Sequence, residues 1–329
     1  MESNPIENSV IESIEKEEGR IEKNEMESDV TENNEIKVSI VIPAKNEGAN
    51  VKMTVDSIID TSSSIPYEII VVDDGSTDNC CGFLLESTAH WQEKRVKLLR
   101  TEGIGAANAR NLGASKASGD ILVFSDAHVT VEKEWLEKMA ATLSQPGIDV
   151  LAPGIADYGG NPAAGVGDGQ TWNEKLETVW LPAPKRVSPV PIAPAGLVAM
   201  KKAVFDYVGG FEKGFKIWGY EDVEFSLKCW LFGINIFATP EVIVKHIFRK
   251  RQVYFISPKE VNYNLIRMAL SHFNRERIVK TLNKIKTTPS VEDIFAEIAV
   301  SDVWKQRQEY FNKRKYDDSW FMNKFQIPY

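Results

Sequence analysis

The sequence has few cysteines and no long apolar run. It contains three cysteines in 329 residues, and two of them are adjacent, Cys80 and Cys81. This arrangement gives neither a disulfide framework nor the usual spacing of a zinc site. No apolar stretch reaches the roughly 18 residues that a membrane helix requires, and the first residues lack the apolar core of a signal peptide. We therefore expect a soluble, cytoplasmic protein with no transmembrane segment.

Basic residues are also in the minority. The chain has 39 Lys and Arg against 47 Asp and Glu, which gives a formal net charge of −8. Because contacts to nucleic-acid phosphates require clustered Lys and Arg, we expect no nucleic-acid partner. One local exception is the basic run Arg249-Lys-Arg251, which follows closely on His246.

Two common nucleotide-binding motifs are missing after the first predicted strand. That strand, Lys37–Ala44, is followed neither by Gly-x-Gly-x-x-Gly nor by Gly-x4-Gly-Lys-Ser/Thr. This absence argues against a Rossmann dehydrogenase and against a P-loop NTPase.

Composition divides the chain into three segments. Residues 1–36 are rich in Glu and Asn, which predicts a disordered or loosely helical tail. Residues 37–258 alternate apolar strand patterns with helical patterns, so we expect an α/β domain with a mostly parallel central sheet and helices on both faces. Residues 259–329 predict a helical C-terminal extension. Within the domain, the Gly- and Pro-rich stretch 153–194 is typical of loops over a site, although a plain surface excursion fits it almost as well.

The central feature of the sequence is an apolar strand that leads directly into Asp126 and His128. Alternate residues of a strand point to the same side, so the carboxylate of Asp126 and the imidazole of His128 leave the sheet together. This pair suits a divalent ion such as Mn²⁺, Mg²⁺ or Zn²⁺. The alternative is an ordinary turn in which Asp126 caps the next helix and His128 is partly buried.

Polar side chains cluster where predicted parallel strands end. The stretches Pro43–Glu47, Asp73–Ser76 and Asp126–His128 each follow an apolar strand. In open parallel sheets, ligands bind beyond the carboxyl ends of the strands. Three such stretches predict a site that holds a polar, phosphorylated ligand through a cation.

An ordered series of motifs resembles known enzymes. The motifs are Val41-Ile-Pro-Ala-Lys-Asn-Glu47, Val71-Val-Asp-Asp-Gly-Ser-Thr-Asp78, Ala109-Arg-Asn-x-Gly113, Phe124-Ser-Asp-Ala-His128, Ala195-Gly-Leu197, Trp218-Gly-Tyr-Glu-Asp222 and His246-Ile-Phe-Arg249. The first three resemble the nucleotide-sugar half of family 2 glycosyltransferases with the GT-A fold. The later ones resemble polypeptide N-acetylgalactosaminyltransferases and their bacterial relatives. The resemblance covers about residues 37–258 and continues weakly to Val303-Trp304.

This resemblance implies a metal site and a donor site. Asp126, His128 and His246 would ligate Mn²⁺ or Mg²⁺, whereas His246 alone would more often be a structural or solvent-facing histidine. The donor would be a UDP-sugar, with Asp73 and Asp74 near the uridine and the basic run after His246 near the diphosphate. The full set of implied donor-binding residues is Pro43, Ala44, Asn46, Glu47, Asp73, Asp74, Arg110, Ser125, Asp126, Ala127, Gly196 and Arg249.

The pair Glu221 and Asp222 departs from the peptide-modifying enzymes, which retain anomeric configuration and typically have Asn at the second position. In inverting family 2 members, an acidic pair of this kind carries the general base. We therefore expect inversion, with Asp222 as base and Glu221 as a hydrogen-bond partner of the donor sugar. The alternative is that the pair only caps a helix. Trp218 is expected to be a platform for donor or acceptor, although a core tryptophan is a close alternative.

The resemblance implies an acceptor less firmly than a donor. A Ser, Thr or Cys side chain of a peptide or protein is expected, and a cell-surface polysaccharide or another glycan is the alternative within the class. A sugar-1-phosphate nucleotidyltransferase and a non-catalytic nucleotide-sugar-binding protein are alternatives from other classes. The nucleotidyltransferase would require a Gly-rich, basic loop after the first strand, and Pro43-Ala-Lys-Asn-Glu47 lacks this character.

Overall fold

The computed structural model describes residues 38–160, 167–249 and 251–329. The predicted tail, residues 1–36, lies outside these ranges, as do Lys37 and Lys250. The strands are β1 (Val38–Ala44), β2 (Tyr67–Asp74), β3 (Val96–Thr101), β4 (Ile121–Ser125), β5 (Val129–Thr130), β6 (Val150–Asp157), β7 (Gln170–Trp172), β8 (Thr178–Trp180), β9 (Ser188–Pro189), β10 (Leu197–Lys201) and β11 (Ile236–His246). The helices are α1 (Asn50–Asp60), α2 (Phe83–Glu86), α3 (Thr88–Glu93), α4 (Ala106–Ser115), α5 (Trp135–Leu143), α6 (Lys202–Val208), α7 (Glu221–Leu231), α8 (Pro258–His272), α9 (Arg275–Ile285), α10 (Val291–Ala299), α11 (Val303–Lys313) and α12 (Asp318–Phe325).

One large sheet forms the centre of the described structure, with the strand order β3-β2-β1-β4-β10-β6-β11-β5. The first four strands in this order, β3, β2, β1 and β4, run parallel to one another, as expected. The other half is mixed, because β10 runs antiparallel to both β4 and β6, and β5 and β9 run antiparallel to β11. Strands β6 and β11 are again parallel to each other, so the expectation of a mostly parallel sheet is confirmed, with antiparallel pairings at β10, β5 and β9. The chain reaches β10 through an irregular segment instead of the helical crossover that a parallel neighbour needs.

Both faces of this sheet are covered, as the continuous apolar strands predict. Side chains alternate between two cores, so that Val41 and Phe124 belong to one while Ile42 and Val123 belong to the other. Helices α1 and α5 pack on one face, and α4, α6, α7 and the C-terminal helices pack on the other. This mixed α/β architecture agrees with the expected fold class.

The C-terminal helices share the core of the domain. Buried residues of α8 to α12, such as Ile266, Ile294 and Phe321, belong to the same hydrophobic cluster as Phe225 and Trp230 of α7. The described residues belong to one compact unit. Among them, no helix is both long and apolar enough to cross a membrane, and the cytoplasmic location remains a prediction.

The Gly- and Pro-rich stretch is more ordered than its composition indicates. In its described part, β7 and β8 form a hairpin that pairs Trp172 with Thr178. Trp172 is buried in the core, whereas Trp180 lines a cavity. This stretch therefore supplies one wall of the candidate site.

Candidate active site

The candidate site lies where the strands of the parallel half end. The register of β1 and β2 places Ala44 beside Asp73, and β4, on the other side of β1, ends at Ser125 immediately before Asp126. In the other half of the sheet, β11 ends at His246, which pairs with Val129 of β5. The amide of the next residue, Ile247, donates to the carbonyl of His128 at 3.1 Å. This pairing brings His246 next to His128.

Asp126, His128 and His246 form a cluster that fits a divalent cation. One ligand atom from each lies within 4.8 Å of the other two. The carboxylate Oδ2 of Asp126 is 3.4 Å from Nε2 of His246, and the two imidazole rings are 4.5 Å apart. The buried Nδ1 of His246 has no hydrogen-bond partner among the described residues. One carboxylate and two imidazoles are donors that Mn²⁺ and Zn²⁺ accept. The ordinary-turn interpretation of Asp126 and His128 does not explain this convergence.

Gly196 gives the cluster its space. Its carbonyl accepts from the amide of Asp126 at 3.0 Å. A Cβ atom at this position would lie 3.0 Å from Cδ1 of Ile155 and 3.4 Å from Cδ2 of His246. The absence of a side chain therefore lets the His246 ring pack against the backbone of the β4–β10 pair.

Arg110 connects the metal cluster to the acidic pair of α7. Its guanidinium is buried and donates to Oδ1 of Asp126 at 2.9 Å and to Oε1 of Glu221 at 3.2 Å. Burial alone would raise the pKa of Asp126, but the contact with His246 and the charge of Arg110 outweigh it and hold this pKa well below its usual range. Asp126 is therefore an anion at every physiological pH.

Glu47 lies behind His128 and is held by two basic groups. Its Oε2 is 3.2 Å from Nδ1 of His128, and its Oε1 accepts from Arg249 at 3.1 Å, with a second Arg249 contact to Oε2. Burial would raise the pKa of Glu47, but the hydrogen bonds to His128 and Arg249 lower it. A carboxylate on Nδ1 orients an imidazole so that Nε2 faces a metal. Glu47 and Arg249, both predicted to bind the donor, thus contact each other.

The two aspartates at the end of β2 differ in their surroundings. Both carboxylate oxygens of Asp74 are occupied, because the amides of Ile104 and Gly105 donate to them at 2.7 and 2.9 Å. Thr101 also donates to Asp74. Asp73 accepts from the amide of Ser76 at 3.0 Å, and its other oxygen is 3.6 Å from Nε of Arg100. Asp74 therefore fixes the loop before α4, whereas Asp73 keeps more hydrogen-bonding capacity.

Two cavities adjoin the cluster. The smaller, about 90 Å³, includes many of the predicted donor residues in its wall: Pro43, Ala44, Glu47, Asp74, Arg110, Asp126, Ala127 and Arg249. The larger, about 500 Å³, is of a size that suits a small-molecule ligand. Gly196, Glu221, Asp222 and His246 line it. The predicted donor residues Asn46, Asp73 and Ser125 line neither cavity; Ser125 is buried in the sheet, and Asn46 joins the turns after β1 and β2 by accepting from Thr77.

Glu221 and Asp222 begin α7 but do not cap it. The N-cap is Tyr220, whose φ of 67° is left-handed, and it makes no side-chain cap bond. Glu221 accepts from Arg110 and, at 2.8 Å, from the amide of Gly219. Asp222 accepts from the amides of Ala195 and Val223 at 3.3 and 2.8 Å. Neither residue occupies the N-cap position, although Asp222 does accept from one first-turn amide of the helix.

The electrostatics of Asp222 differ from those of Asp126. Burial, followed by the nearby charge of Glu221, raises the pKa of Asp222 to about 6, although Arg110 and two amides pull in the opposite direction. A carboxylate with this pKa is ionised at neutral pH and is a stronger base than an ordinary Asp.

Aromatic side chains surround the acidic pair. Trp218, which the sequence analysis singled out, is 39 % exposed and lines both cavities. The core-tryptophan alternative for Trp218 is therefore wrong. Trp180, Tyr220 and Phe248, which it did not assign to the site, line the larger cavity. Lys45, whose Nζ donates to the carbonyl of Asp74 at 2.9 Å, and Tyr254 line the smaller cavity. Tyr254 lies in an irregular segment that carries no periodic signal.

Comparison with known protein families gives two matches. The model of glycosyl transferase family 2 matches residues 39–206, and the model described as the N-terminal domain of galactosyltransferase matches residues 181–251. The first match covers about half of the chain and contains the ends of β1, β2 and β4.

The chain is also similar to curated sequences. Polypeptide N-acetylgalactosaminyltransferase 11 of Xenopus tropicalis is 33% identical over an alignment of 241 residues, and the match covers 66% of this chain and 39% of the relative. Polypeptide N-acetylgalactosaminyltransferase 8 of Drosophila melanogaster is 36% identical over an alignment of 231 residues, and the match covers 64% of this chain and 38% of the relative. The chain thus spans about two fifths of the length of these relatives.

Solved structures share the fold. The crystal structure of GalNAc-T7 with UDP, GalNAc and Mn²⁺ superposes with a TM-score of 0.68 at 22% identity and covers 90% of this chain and 57% of that one. S. aureus TarS 1-349 in complex with UDP-GlcNAc gives a TM-score of 0.53 at 16% identity, covering 83% of this chain and 79% of that one.

Proposed function

Because this chain belongs to glycosyl transferase family 2, we propose that it transfers a sugar from a UDP-sugar to an acceptor in a metal-dependent reaction. The observation that carries the proposal is the convergence of Asp126, His128 and His246 at the strand ends, beside a cavity of about 500 Å³ that contains Asp222. The likeness to a GalNAc-T7 structure that contains UDP, GalNAc and Mn²⁺ supports the choice of donor and metal.

The three ligands would hold Mn²⁺ or Mg²⁺. A bound ion would supply positive charge for the diphosphate of the donor. Arg110 fixes the orientation of Asp126, and Glu47 fixes that of His128, so the ligand atoms stay in place before the donor arrives. Arg249, a cation in the wall of the smaller cavity, would contact the diphosphate and would then exchange its bond with Glu47 for one with phosphate.

The nucleoside end of the donor would lie at the ends of β1 and β2. Asp74 lines the smaller cavity, but both of its oxygens are occupied by the loop before α4. Asp73 lies outside the wall of that cavity and keeps the hydrogen-bonding capacity for a hydroxyl or uracil contact. Pro43, Ala44 and Ala127 would form the floor, since they line the smaller cavity. Asn46 and Ser125 would act indirectly by holding the turns around it, and Gly196 by leaving space for His246.

Asp222 would act as the general base of an inverting displacement. The acceptor oxygen or sulfur attacks the anomeric carbon, its proton passes to a carboxylate oxygen of Asp222, and the bond from that carbon to the diphosphate breaks with the electron pair leaving on UDP. A pKa raised to about 6 leaves Asp222 ionised at neutral pH yet basic enough to take the proton. Glu221 would contact the donor sugar, and the exposed face of Trp218 would support donor or acceptor.

The acceptor would be a Ser, Thr or Cys side chain of a peptide or protein. The related polypeptide N-acetylgalactosaminyltransferases support this choice. A glycan is a second candidate, and the aromatic faces of Trp180, Trp218 and Phe248 in the larger cavity favour it, because sugar rings pack well against such faces. Family membership leaves no support for the nucleotidyltransferase alternative. A donor panel distinguishes an enzyme from a binding protein without activity, because only the enzyme releases UDP.

A donor panel tests the proposed function. Purified protein is incubated with UDP-sugars, with and without Mn²⁺, and with peptides that contain Ser, Thr or Cys, or with glycan acceptors, while free UDP is measured. We expect Mn²⁺-dependent UDP release with one donor, accelerated by a peptide acceptor. If only glycans accelerate UDP release, the acceptor is a glycan and not a peptide. No UDP release with any donor and acceptor, or release that ignores the metal, would contradict the proposal.

A further inference from the structure

A second group of potential metal ligands lies at the end of β2. Asp73 is joined there by Cys80 and Cys81, and one ligand atom from each lies within 4.8 Å of the others. All three side chains are buried, and both cysteines are free thiols. None of them belongs to the cluster of Asp126, His128 and His246. The proposed reaction makes no use of the two thiols.

The two sulfur atoms are spaced as two ligands of one ion would be. Their separation is 3.8 Å. In a tetrahedral zinc site, where Zn–S is about 2.3 Å, two sulfur ligands lie about 3.8 Å apart. The carboxylate of Asp73 can then join through a modest rotation of its side chain. This rotation would exchange the hydrogen bond that Oδ1 of Asp73 accepts from the amide of Ser76 for a bond to the ion.

The turn that carries the thiols is held in place by its own hydrogen bonds. The amide of Cys80 donates to Oδ1 of Asp78 at 3.0 Å, and the other oxygen of Asp78 accepts from the amide of Gly48 at 2.7 Å. The Sγ of Cys80 is 3.3 Å from the hydroxyl of Ser76. The sulfur pair therefore needs little reorganisation to bind an ion.

The two ligand groups differ in chemical preference. Thiolates select soft or borderline ions such as Zn²⁺, whereas the carboxylate and imidazoles of the first cluster accept Mn²⁺. We propose that Asp73, Cys80 and Cys81 form a separate thiolate site for Zn²⁺, and that its occupation hinders binding of the donor nucleotide by engaging Asp73. Two thiol protons leave to solvent when the ion binds. The effect on the donor rests on the proposed function, whereas ion binding does not.

Sequence spacing conceals this site. Adjacent cysteines do not have the two-to-four-residue separation of ordinary zinc motifs, and the third ligand is contributed by the strand end instead of by the turn. Only the folded β2 turn brings the carboxylate to the sulfur pair.

Titration with Cd²⁺, a zinc substitute, tests the site without any donor. Its thiolate charge-transfer absorption in the ultraviolet reports sulfur ligation alone, so an ion bound to Asp126, His128 and His246 is silent. We expect the band to saturate at one equivalent of Cd²⁺ per chain under reducing conditions. The double variant Cys80→Ser/Cys81→Ser should lose it, and Cys229→Ala, which removes the buried thiol of α7, should keep it. A band absent from the wild type, or retained in the double variant, would overturn the proposal.

Asp73→Asn separates a three-ligand site from a simple thiol pair. Loss of a ligand should weaken Cd²⁺ binding at least as much as loss of an outer-shell partner, which costs about 10–100-fold. Unchanged affinity would remove Asp73 from the site. Near-ultraviolet circular dichroism without metal checks that each variant folds.

A final experiment measures UDP affinity with Mn²⁺ present, before and after one equivalent of Cd²⁺. We expect at least tenfold weaker binding in the wild type and no change in the cysteine double variant. Unchanged UDP affinity in the cadmium-loaded wild type would refute the proposal that the bound ion hinders binding of the donor nucleotide. A protein that shows the thiolate band but never binds UDP would instead count against the proposed function, so the two failures are distinguishable.

Discussion

Oδ2 of Asp126 lies 3.4 Å from Nε2 of His246, although the two residues follow and end different strands, β4 and β11. The sheet alone does not make these strands neighbours, because β10 and β6 lie between them. The short strand β5 closes the distance by pairing with the last residues of β11. The metal site thus depends on a two-residue strand that directly follows His128.

Asp126→Asn should abolish Mn²⁺-dependent binding of UDP. The amide removes the negative charge of one ligand while keeping its size, and the Arg110 contact loses its ion-pair character. We expect calorimetric titration of UDP to show no gain in affinity on adding Mn²⁺. Asp120→Asn, at an exposed position immediately before β4, is the matched control and should behave as the wild type. Normal Mn²⁺ enhancement in Asp126→Asn would exclude Asp126 as a ligand.

Arg110→Lys should weaken the metal site although it keeps the charge. The Arg110 guanidinium donates to Asp126 and Glu221 simultaneously through two of its nitrogen atoms. A lysine side chain is shorter and has a single nitrogen, so it cannot form both hydrogen bonds in the same geometry. We expect Mn²⁺ affinity, measured by competition with a metal indicator, to fall about 10–100-fold, as for other outer-shell partners.

The control for this variant is Arg275→Lys at the exposed start of α9. If Arg110→Lys reduced only the free energy of unfolding and left Mn²⁺ affinity unchanged, Arg110 would be a packing residue and not a positioning residue of the metal site.

Activity and stability should respond to pH in opposite directions through Asp222. Its pKa is raised to about 6 by burial and by Glu221, so kcat at saturating donor and metal should rise between about pH 5 and pH 7 as the base ionises. The folded state binds this proton more tightly than the unfolded chain, whose Asp pKa is about 3.9. The free energy of unfolding therefore decreases as pH rises from about 4 to 6.

Asp222→Asn serves as the control, because it removes the carboxyl group whose ionisation lowers the free energy of unfolding. Urea unfolding should find it more stable than the wild type at pH 7, with the difference shrinking towards pH 4. Equal stability of the two proteins at both pH values would show that the pKa of Asp222 is not raised in the folded protein.

Glu224→Gln should destabilise the contact between α7 and the C-terminal helices. Glu224 is 3.1 Å from Nζ of Lys228 and 2.8 Å from Nε2 of His272 of α8, and all three side chains are buried. Removing one partner of a buried ion pair costs about 3–5 kcal/mol, because the other charge stays buried. Glu93→Gln, at the exposed end of α3, should stay within about 0.5 kcal/mol in the same urea titration. A similarly small change for Glu224→Gln would mean that this network does not hold α7.

Much of the fold could be predicted because its strands are continuous apolar runs. The ends of β1, β2 and β4 were located by the residues that follow them, and alternation along a strand placed Asp126 and His128 on one side. The direction of β10 could not be predicted, because strand pairing is a tertiary property that periodicity does not encode. The same holds for the hairpin of β7 and β8, which a Gly- and Pro-rich composition conceals.

The site was predictable in its residue types and less so in its contacts. Asp73 and Asp74 look equivalent in the sequence, yet the amides of Ile104 and Gly105 occupy both oxygens of Asp74. Arg110 was expected to bind the donor, but the folded chain also places its guanidinium between Asp126 and Glu221. Such differences arise from backbone amides and side chains far apart in the chain, for which a single sequence gives no local signal.

The most direct test of the account is the anomeric configuration of the first product formed with Mn²⁺, determined by proton NMR before mutarotation can scramble it. An in-line attack assisted by Asp222 predicts an inverted configuration for the wild type. It also predicts that Asp222→Asn binds the UDP-sugar with unchanged affinity but transfers at least a hundredfold more slowly, the contribution typical of a general base. Retention of configuration, or a near wild-type rate in Asp222→Asn, would contradict it.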